Sequence, residues 1–115
     1  MIVKELAIFT DNVQTMTDFY ASLVGSEPAA RSEDMAIFQV GEIKILIHKT
    51  YTSGEGELPP ENHTGFQVKD LDAACKRLIE RGLVIERHPQ DYPWGRSAYL
   101  RDPAGHQIEI MQEEK

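Results

Sequence analysis

The sequence predicts an α+β fold built of two βαβββ modules, and three observations predict it. A repeat runs through the chain: the segment from Glu5 to Val13 and the segment from His63 to Leu71 begin 58 positions apart, and each is a short alternating strand entering a capped helix. Each helix is followed by short apolar runs separated by turn residues, which read as strands. The 115 residues leave room for one core, and a chain of this size buries roughly two-thirds of its unfolded surface without disulfides or a structural metal.

The elements follow in order. The strand Lys4–Thr10 leads to Asn12, whose side-chain oxygen can accept orphan N–H bonds of a first helical turn. Behind it Val13, Met16, Phe19, Tyr20, Leu23 and Val24 recur at helical spacing and are assigned to core packing, with Gly25 as the stop. Strands are expected around Glu27–Ser32, then at Met35–Val40 and Ile43–Lys49, the last two hinged at Gly41-Glu42. The second copy runs from His63–Val68 to Asp70, a second N-cap, and then Leu71, Ala74, Cys75, Leu78 and Ile79 mark an amphipathic helix stopped by Gly82. Strands are expected at Leu83–Arg87, Arg96–Arg101 and His106–Gln112, with Asp102 to Gly105 forming the last turn. One domain is expected, with modules 1–50 and 62–115 joined by a linker, 51–61, that contains Gly54, Gly56, Pro59 and Pro60.

Composition excludes several classes. A net charge of −7 offers no basic face for a phosphate backbone, so nucleic acid is not an expected partner. No apolar run approaches the length needed to cross a bilayer, and no membrane partner is expected. The single Cys75 leaves no intramolecular disulfide and no cysteine-cluster zinc site. The start, Met-Ile-Val-Lys-Glu-Leu, lacks the basic and apolar regions of a signal peptide, so the expected location is cytoplasmic.

Strand alternation separates two faces. Leu6 and Ile8, Phe66 and Val68, and Ile108 and Ile110 are the apolar sets that pack under the helices. The opposite set holds one ionisable residue per strand, Glu5, His63 and Glu109, and Ser97, Tyr99 and Arg101 join it if Ala98 and Leu100 face the helices. Two carboxylates and an imidazole suit Mn, Fe, Co, Ni or Zn as divalent ions, whereas the same three side chains on strands that do not converge are ordinary solvated groups. Trp94 is read as a pocket-edge aromatic able to stack on a planar ligand or a cation, or as packing for its loop. Phe9, Ile45, Ile47 and Met111 would give a cavity its apolar lining, and Gln67 faces the same way as His63. His48, His88 and His106 are assigned to the surface and the last turn.

The strand and helix from Glu5 to Tyr20, and above all His63-Thr-Gly-Phe-Gln-Val-Lys-Asp, Leu78-Ile-Glu-Arg-Gly, Pro93-Trp-Gly-Arg and Tyr99-Leu-Arg-Asp-Pro-Ala-Gly-His-Gln-Ile-Glu, resemble the vicinal oxygen chelate superfamily of glyoxalases, bleomycin-resistance proteins and extradiol dioxygenases. The resemblance covers essentially the whole chain and implies a curved mixed sheet with a cup-shaped cleft. It implies metal ligands on the first and last strand of each module, which here are Glu5, Ile45, His63 and Glu109 when Gly41 is aligned with Gly105. Ile45 cannot ligate, which speaks against full glyoxalase I activity, and Glu5 stands where dioxygenases and fosfomycin-inactivating thiol transferases usually carry His. Tyr99 corresponds to a substrate-contacting tyrosine of the latter. The expectation is a homodimer acting on a small molecule: a metal-dependent lyase, isomerase or dioxygenase with Glu5, His63 and Glu109 as ligands and Tyr99 as catalytic proton donor or positioning group. The alternative is a metal-free drug or metabolite binder, with Phe9, Ile45, Ile47, Gln67, Trp94, Ser97, Arg101 and Met111 contacting the ligand in either case.

Overall fold

The computed structural model describes residues 1–114. Their order is β1 (Ile2–Thr10), α1 (Val13–Val24), β2 (Ala30–Arg31), β3 (Met35–Val40), β4 (Ile43–Lys49), β5 (His63–Val68), α2 (Leu71–Glu80), β6 (Arg87–Tyr92), β7 (Gly95–Arg101) and β8 (Gln107–Gln112). This is the βαβββ pattern twice, an α+β fold with mixed strand pairing, as the repeat predicts. The chain forms two compact units, one from Glu5 to Asn62 and the other from Met1–Lys4 together with the residues from His63 onward.

In the unit from Glu5, strands run in the order β2-β3-β4-β1, with β4 parallel to β1 and antiparallel to β3. Asn12 caps α1 as expected, its side chain accepting from the Thr15 N–H at 3.2 Å, and Gly25 ends it at φ 83°, a left-handed conformation that costs glycine little. The core holds Val13, Ala36, Phe38 and Ile47, with Met16, Tyr20, Ala21 and Ile45 packed against it. Phe38 and Ile47 are fully buried, and each contributes about 1.5–3 kcal/mol through lost apolar surface. Phe19 and Leu23, read as core from their spacing, are instead 59% and 66% exposed. The inward stripe of α1 is narrower than the apolar set in its sequence, because buried Thr17 takes an inward position with its hydroxyl donating to Val13 O.

In the second unit the order is β5-β8-β7-β6, with β5 parallel to β8 and the rest antiparallel. Asp70 caps α2, accepting from the Ala73 N–H at 3.1 Å. The core gathers Val68, Leu71, Ala74, Cys75, Ile85, Ala98, Leu100 and Ile110 under α2. Two strands depart from expectation. β6 starts at Arg87 rather than Leu83, because Leu83 and Val84 are exposed and only Ile85 of that run is buried. Its own sequence, Arg-His-Pro-Gln-Asp-Tyr, is polar and contains Pro89 where the register shifts between Arg87 and Gln90, as an edge strand tolerates. The run 27–32 contributes only Ala30–Arg31 as strand, and its Arg31 pairs with Asp18 of α1 at 3.0 Å.

Candidate functional site

Parallel and antiparallel registers together bring one row of side chains to the face of the second unit that α2 does not cover. Gly65 stands beside Glu109, Glu109 beside Tyr99, and His63 beside Gln107. Ser97 and Met111 follow on the same face, and Tyr92 reaches it through its partner Gly95. The row is polar and yet buried: Ser97, Tyr99, Gln107 and Glu109 are each no more than 3% exposed. Buried polar groups must find partners, and these do.

The Glu109 carboxylate is the hub. Its Oε2 accepts from Ser97 Oγ at 2.8 Å and from Tyr99 Oη at 2.9 Å, and its Oε1 lies 3.3 Å from His63 Nε2. Burial pushes this carboxyl up, but the bonds from His63, Ser97 and Tyr99 together with the attraction of the imidazole outweigh it and hold the group below the ordinary glutamate value. The Gln107 side-chain nitrogen lies 3.5 Å from His63 Nδ1, so the amide orientation and the imidazole tautomer are set together.

Aromatic rings lead away from this hub. Tyr99 meets His63 edge-on, Tyr92 meets Tyr99 edge-on at 5.9 Å, and Trp94 stacks on Tyr92 with centroids 4.7 Å apart and planes within 8°. Trp94 is nevertheless 54% exposed, so its other face is open to solvent. Tyr92 Oη is buried and, among the described residues, has no hydrogen-bond partner.

The expected site residues fall into three groups. His63, Ser97, Tyr99 and Glu109 come together as described, and Gln67 and Met111 stand side by side at the next register position. Trp94 belongs to the adjoining turn. Arg101 shares the row but is committed elsewhere, donating to Glu86 and to Gly105 O, each at 2.9 Å. Glu5 and Phe9 lie on β1 in the other unit, half-buried, with Phe9 packed on the His48 ring.

Ile45 and Ile47 are corrections. They belong to the core packed with α1, paired with Phe38 and Ala36, and do not share a face with Glu5, Ala7 and Phe9. The register also changes which residue answers to Glu109. Gly65 pairs with Glu109, and the equivalent Ala7 pairs with Leu46, not Ile45. Aligning the two turn glycines misleads because Val40 and Ile43 close a two-residue turn whereas Arg101 and Gln107 flank a five-residue one. The strand after each glycine is therefore in opposite phase, and a one-residue slip exchanges faces. The conclusion that this position cannot ligate is unchanged, since Leu46 is as apolar as Ile45. Gln107 and Tyr92 join the site beyond the residues expected from the sequence, and alternation is the signal for Gln107, which sits two residues before Glu109 and so shares its face.

A family model described as Glyoxalase/Bleomycin resistance protein/Dioxygenase superfamily matches residues 2–110. The chain is 32% identical over 111 residues to the anthracycline biosynthesis protein DauV of Streptomyces sp. (strain C5), covering 91% of this chain but 39% of that protein. It therefore spans about two-fifths of that relative's length. The metallothiol transferase FosB of Shouchella clausii is 26% identical over 113 residues, covering 94% of this chain and 77% of the relative. Among solved structures, methylmalonyl-CoA epimerase from Mycobacterium tuberculosis superposes with a TM-score of 0.71 at 16% identity, covering 98% of this chain and 88% of that one, which is a likeness of fold.

Proposed function

Because the chain belongs to the Glyoxalase/Bleomycin resistance protein/Dioxygenase superfamily, we propose that it is a divalent-metal-dependent enzyme of the lyase, isomerase or dioxygenase kind, acting on a small oxygen-bearing molecule, with Glu5, His63 and Glu109 as the ligands. The observation that carries this reading is the 3.3 Å separation of His63 Nε2 and Glu109 Oε1. Two donors each about 2.1 Å from one ion at near-tetrahedral or octahedral angles lie roughly 3.0–3.4 Å apart, so this separation admits an ion in place of the hydrogen bond. The donor chemistry fits the group as well, since imidazole and carboxylate suit Mn, Fe, Co, Ni and Zn. Glu5 would add a second carboxylate to this donor set. Two carboxylates beside one imidazole make a hard, negative donor set, which favours Mn or Fe over softer competitors of similar availability.

A bound ion would supply Lewis-acid polarisation of a substrate oxygen. The chain's own residues do the rest. Ser97 and Tyr99 fix Oε2 of Glu109, so its Oε1 is the oxygen left to ligate. For Nε2 of His63 to ligate, its proton sits on Nδ1 and the Gln107 side-chain oxygen turns to accept it, a contact that orients the ring. Of the two roles expected of Tyr99, positioning is the one supported here, because its hydroxyl proton is already directed to Glu109. The test is a titration of Mn(II), Co(II), Ni(II) and Zn(II) into chelator-stripped protein. Tm should rise with at least one metal, by linkage, and Glu109→Gln should remove the rise. No change at millimolar metal overturns the proposal.

One observation favours a second reading, a metal-free binder of a planar or cationic molecule. Trp94, braced on one face by Tyr92 and open on the other, is a stacking platform with the unpartnered Tyr92 hydroxyl near it. The Streptomyces relative named for anthracycline biosynthesis is in keeping with this. Quenching of Trp94 fluorescence by such a ligand, unchanged by chelator, would support it. A homodimer belongs to the same proposal, supported by Phe19 and Leu23, an exposed apolar pair one turn apart on α1, and a cytoplasmic location is proposed with it. Sedimentation at micromolar concentration tests the dimer. For comparison, no described helix is long and apolar enough to cross a membrane.

A further inference from the structure

The second unit carries a cavity on the α2 side of its strands and so on the face opposite Glu109. It has a volume of about 420 Å³, within the range of small-molecule sites. Its floor is apolar: Val68 from the end of β5, Ala74 and Leu78 from α2, and Met1. Its rim is cationic, formed by Lys69, Arg77 and Arg81. Ala74, Arg77 and Leu78 of α2 and its C-cap Arg81 follow at helical spacing and together supply half of the lining.

The charge here runs against the rest of the molecule. The chain carries 19 acidic and 12 basic side chains, so unpaired cations are not what its composition favours. Arg31, Arg96 and Arg101 are each paired with a carboxylate. Among the described residues, the side chains of Lys69, Arg77 and Arg81 have no hydrogen-bond or ion-pair partner. The one acid in the lining, Asp70, turns its Oδ1 to the Ala73 N–H as the cap of α2. Two guanidinium forks and an ammonium thus stand unneutralised around an apolar floor. Guanidinium matches carboxylate and phosphate oxygens two at a time.

We propose that this cavity binds a small amphiphilic anion: a carboxylate or phosphate group held by Arg77 and Arg81 with Lys69, on a short apolar body lying over Val68, Ala74, Leu78 and Met1. Exposed ion pairs alone contribute little, so the affinity depends on both parts of the ligand. Neither part is shared with the Glu109 centre, and the site stands whether or not that centre holds a metal.

The experiment is a titration of the full chain with octanoate and with octyl phosphate, followed through the backbone amide signals of residues 69–81, with octanol and inorganic phosphate as controls. Saturable shifts confined to this segment are expected with one or both amphiphiles, and which of them binds identifies the anionic group. Each control should bind at least roughly tenfold more weakly. The Arg77→Gln, Arg81→Gln double variant should keep its Tm, since Arg77 on α2 and Arg81 at its C-cap are both exposed, yet lose roughly tenfold or more in affinity. Glu109→Gln should bind as the parent does. Octanol binding as tightly as octanoate, inorganic phosphate binding as tightly as octyl phosphate, undiminished affinity in the double variant, or no saturable shift at millimolar ligand would each overturn the proposal.

Discussion

The two units share an order of elements and differ in one row of side chains. In the second, Gly65, Glu109 and Tyr99 stand abreast on β5, β8 and β7, and in the first the same register positions hold Ala7, Leu46 and Ile37. One row is a buried polar network in which each group depends on its neighbours. The other is apolar and needs no partners at all. A duplicated scaffold thus keeps its hydrogen-bonded ladder in both copies while concentrating its chemistry in one, and the cost of burying a carboxylate falls on one unit alone.

The largest effect is expected from writing the first unit's residue into the second. Glu109→Leu removes the acceptor that the buried Ser97 and Tyr99 hydroxyls share. It should destabilise the protein by about 3–5 kcal/mol in urea denaturation with chelator present. Glu109→Gln keeps an acceptor oxygen and should cost about 1–2 kcal/mol. Equal losses in the two variants would mean that the hydroxyls find other acceptors, and the network would then be less interdependent than the comparison implies.

The next effect tests the register that defines the comparison. Ile47 is fully buried, so Ile47→Ala should cost about 2–4 kcal/mol, and the half-buried Leu46→Ala about half as much. A larger loss at Leu46 would restore the alignment that set Ile45 against Glu109.

That correction also shows what the sequence could and could not reveal. The helices were legible because their ends carry local chemistry: Asn12 and Asp70 cap them, and Gly25 takes the left-handed conformation that ends the first. The strands β3 and β4 were legible because alternation and the Gly41-Glu42 turn are local too. β6 was not, since its residues are polar and include Pro89, and it is a strand only because β7 pairs with it. The His63–Glu109 pair followed from face alternation, whereas the parts played by Gln107 and Tyr92 needed the cross-strand register. The phase of β4 against β1 is set by loop length and packing under α1, which no alignment of glycines can supply.

A smaller effect is expected within the second row itself. Tyr99→Phe and Ser97→Ala each remove one donor to Glu109 Oε2 and should cost about 1–2 kcal/mol. Because both bonds end on the same oxygen, the double variant should lose less than the sum of the two. If Glu109 ligates a metal, each single variant should also weaken metal affinity by roughly 10- to 100-fold, as loss of an orienting partner does. Calorimetric titration checks this, and an unchanged affinity in Tyr99→Phe would remove Tyr99 from the positioning role.

The smallest effect concerns the turns that close the two units' last hairpins, and it depends on pH. In the second unit Asp102 Oδ1 accepts from the backbone N–H groups of Ala104 and His106, and its Oδ2 lies 2.9 Å from His106 Nδ1. The His106 backbone bond is the main reason its carboxyl lies below the ordinary aspartate value, assisted by the His106 ring and by Ala104. A carboxyl lowered by folding contributes stability that is fully present above the unfolded value, about 3.9, and lost as pH falls through the folded value. In the first unit the equivalent turn is held by the neutral Gln39 amide, which donates to Gly41 O at 2.8 Å and does not titrate. Acidification from pH 5 to pH 2 should therefore move the amide signals of Ala104 and His106 while the side-chain amide signals of Gln39 stay fixed. Asp102→Asn keeps an acceptor oxygen and should abolish the movement. If the His106 amide still titrates in that variant, the carboxylate is not what holds this turn, and the two hairpins differ in loop length alone.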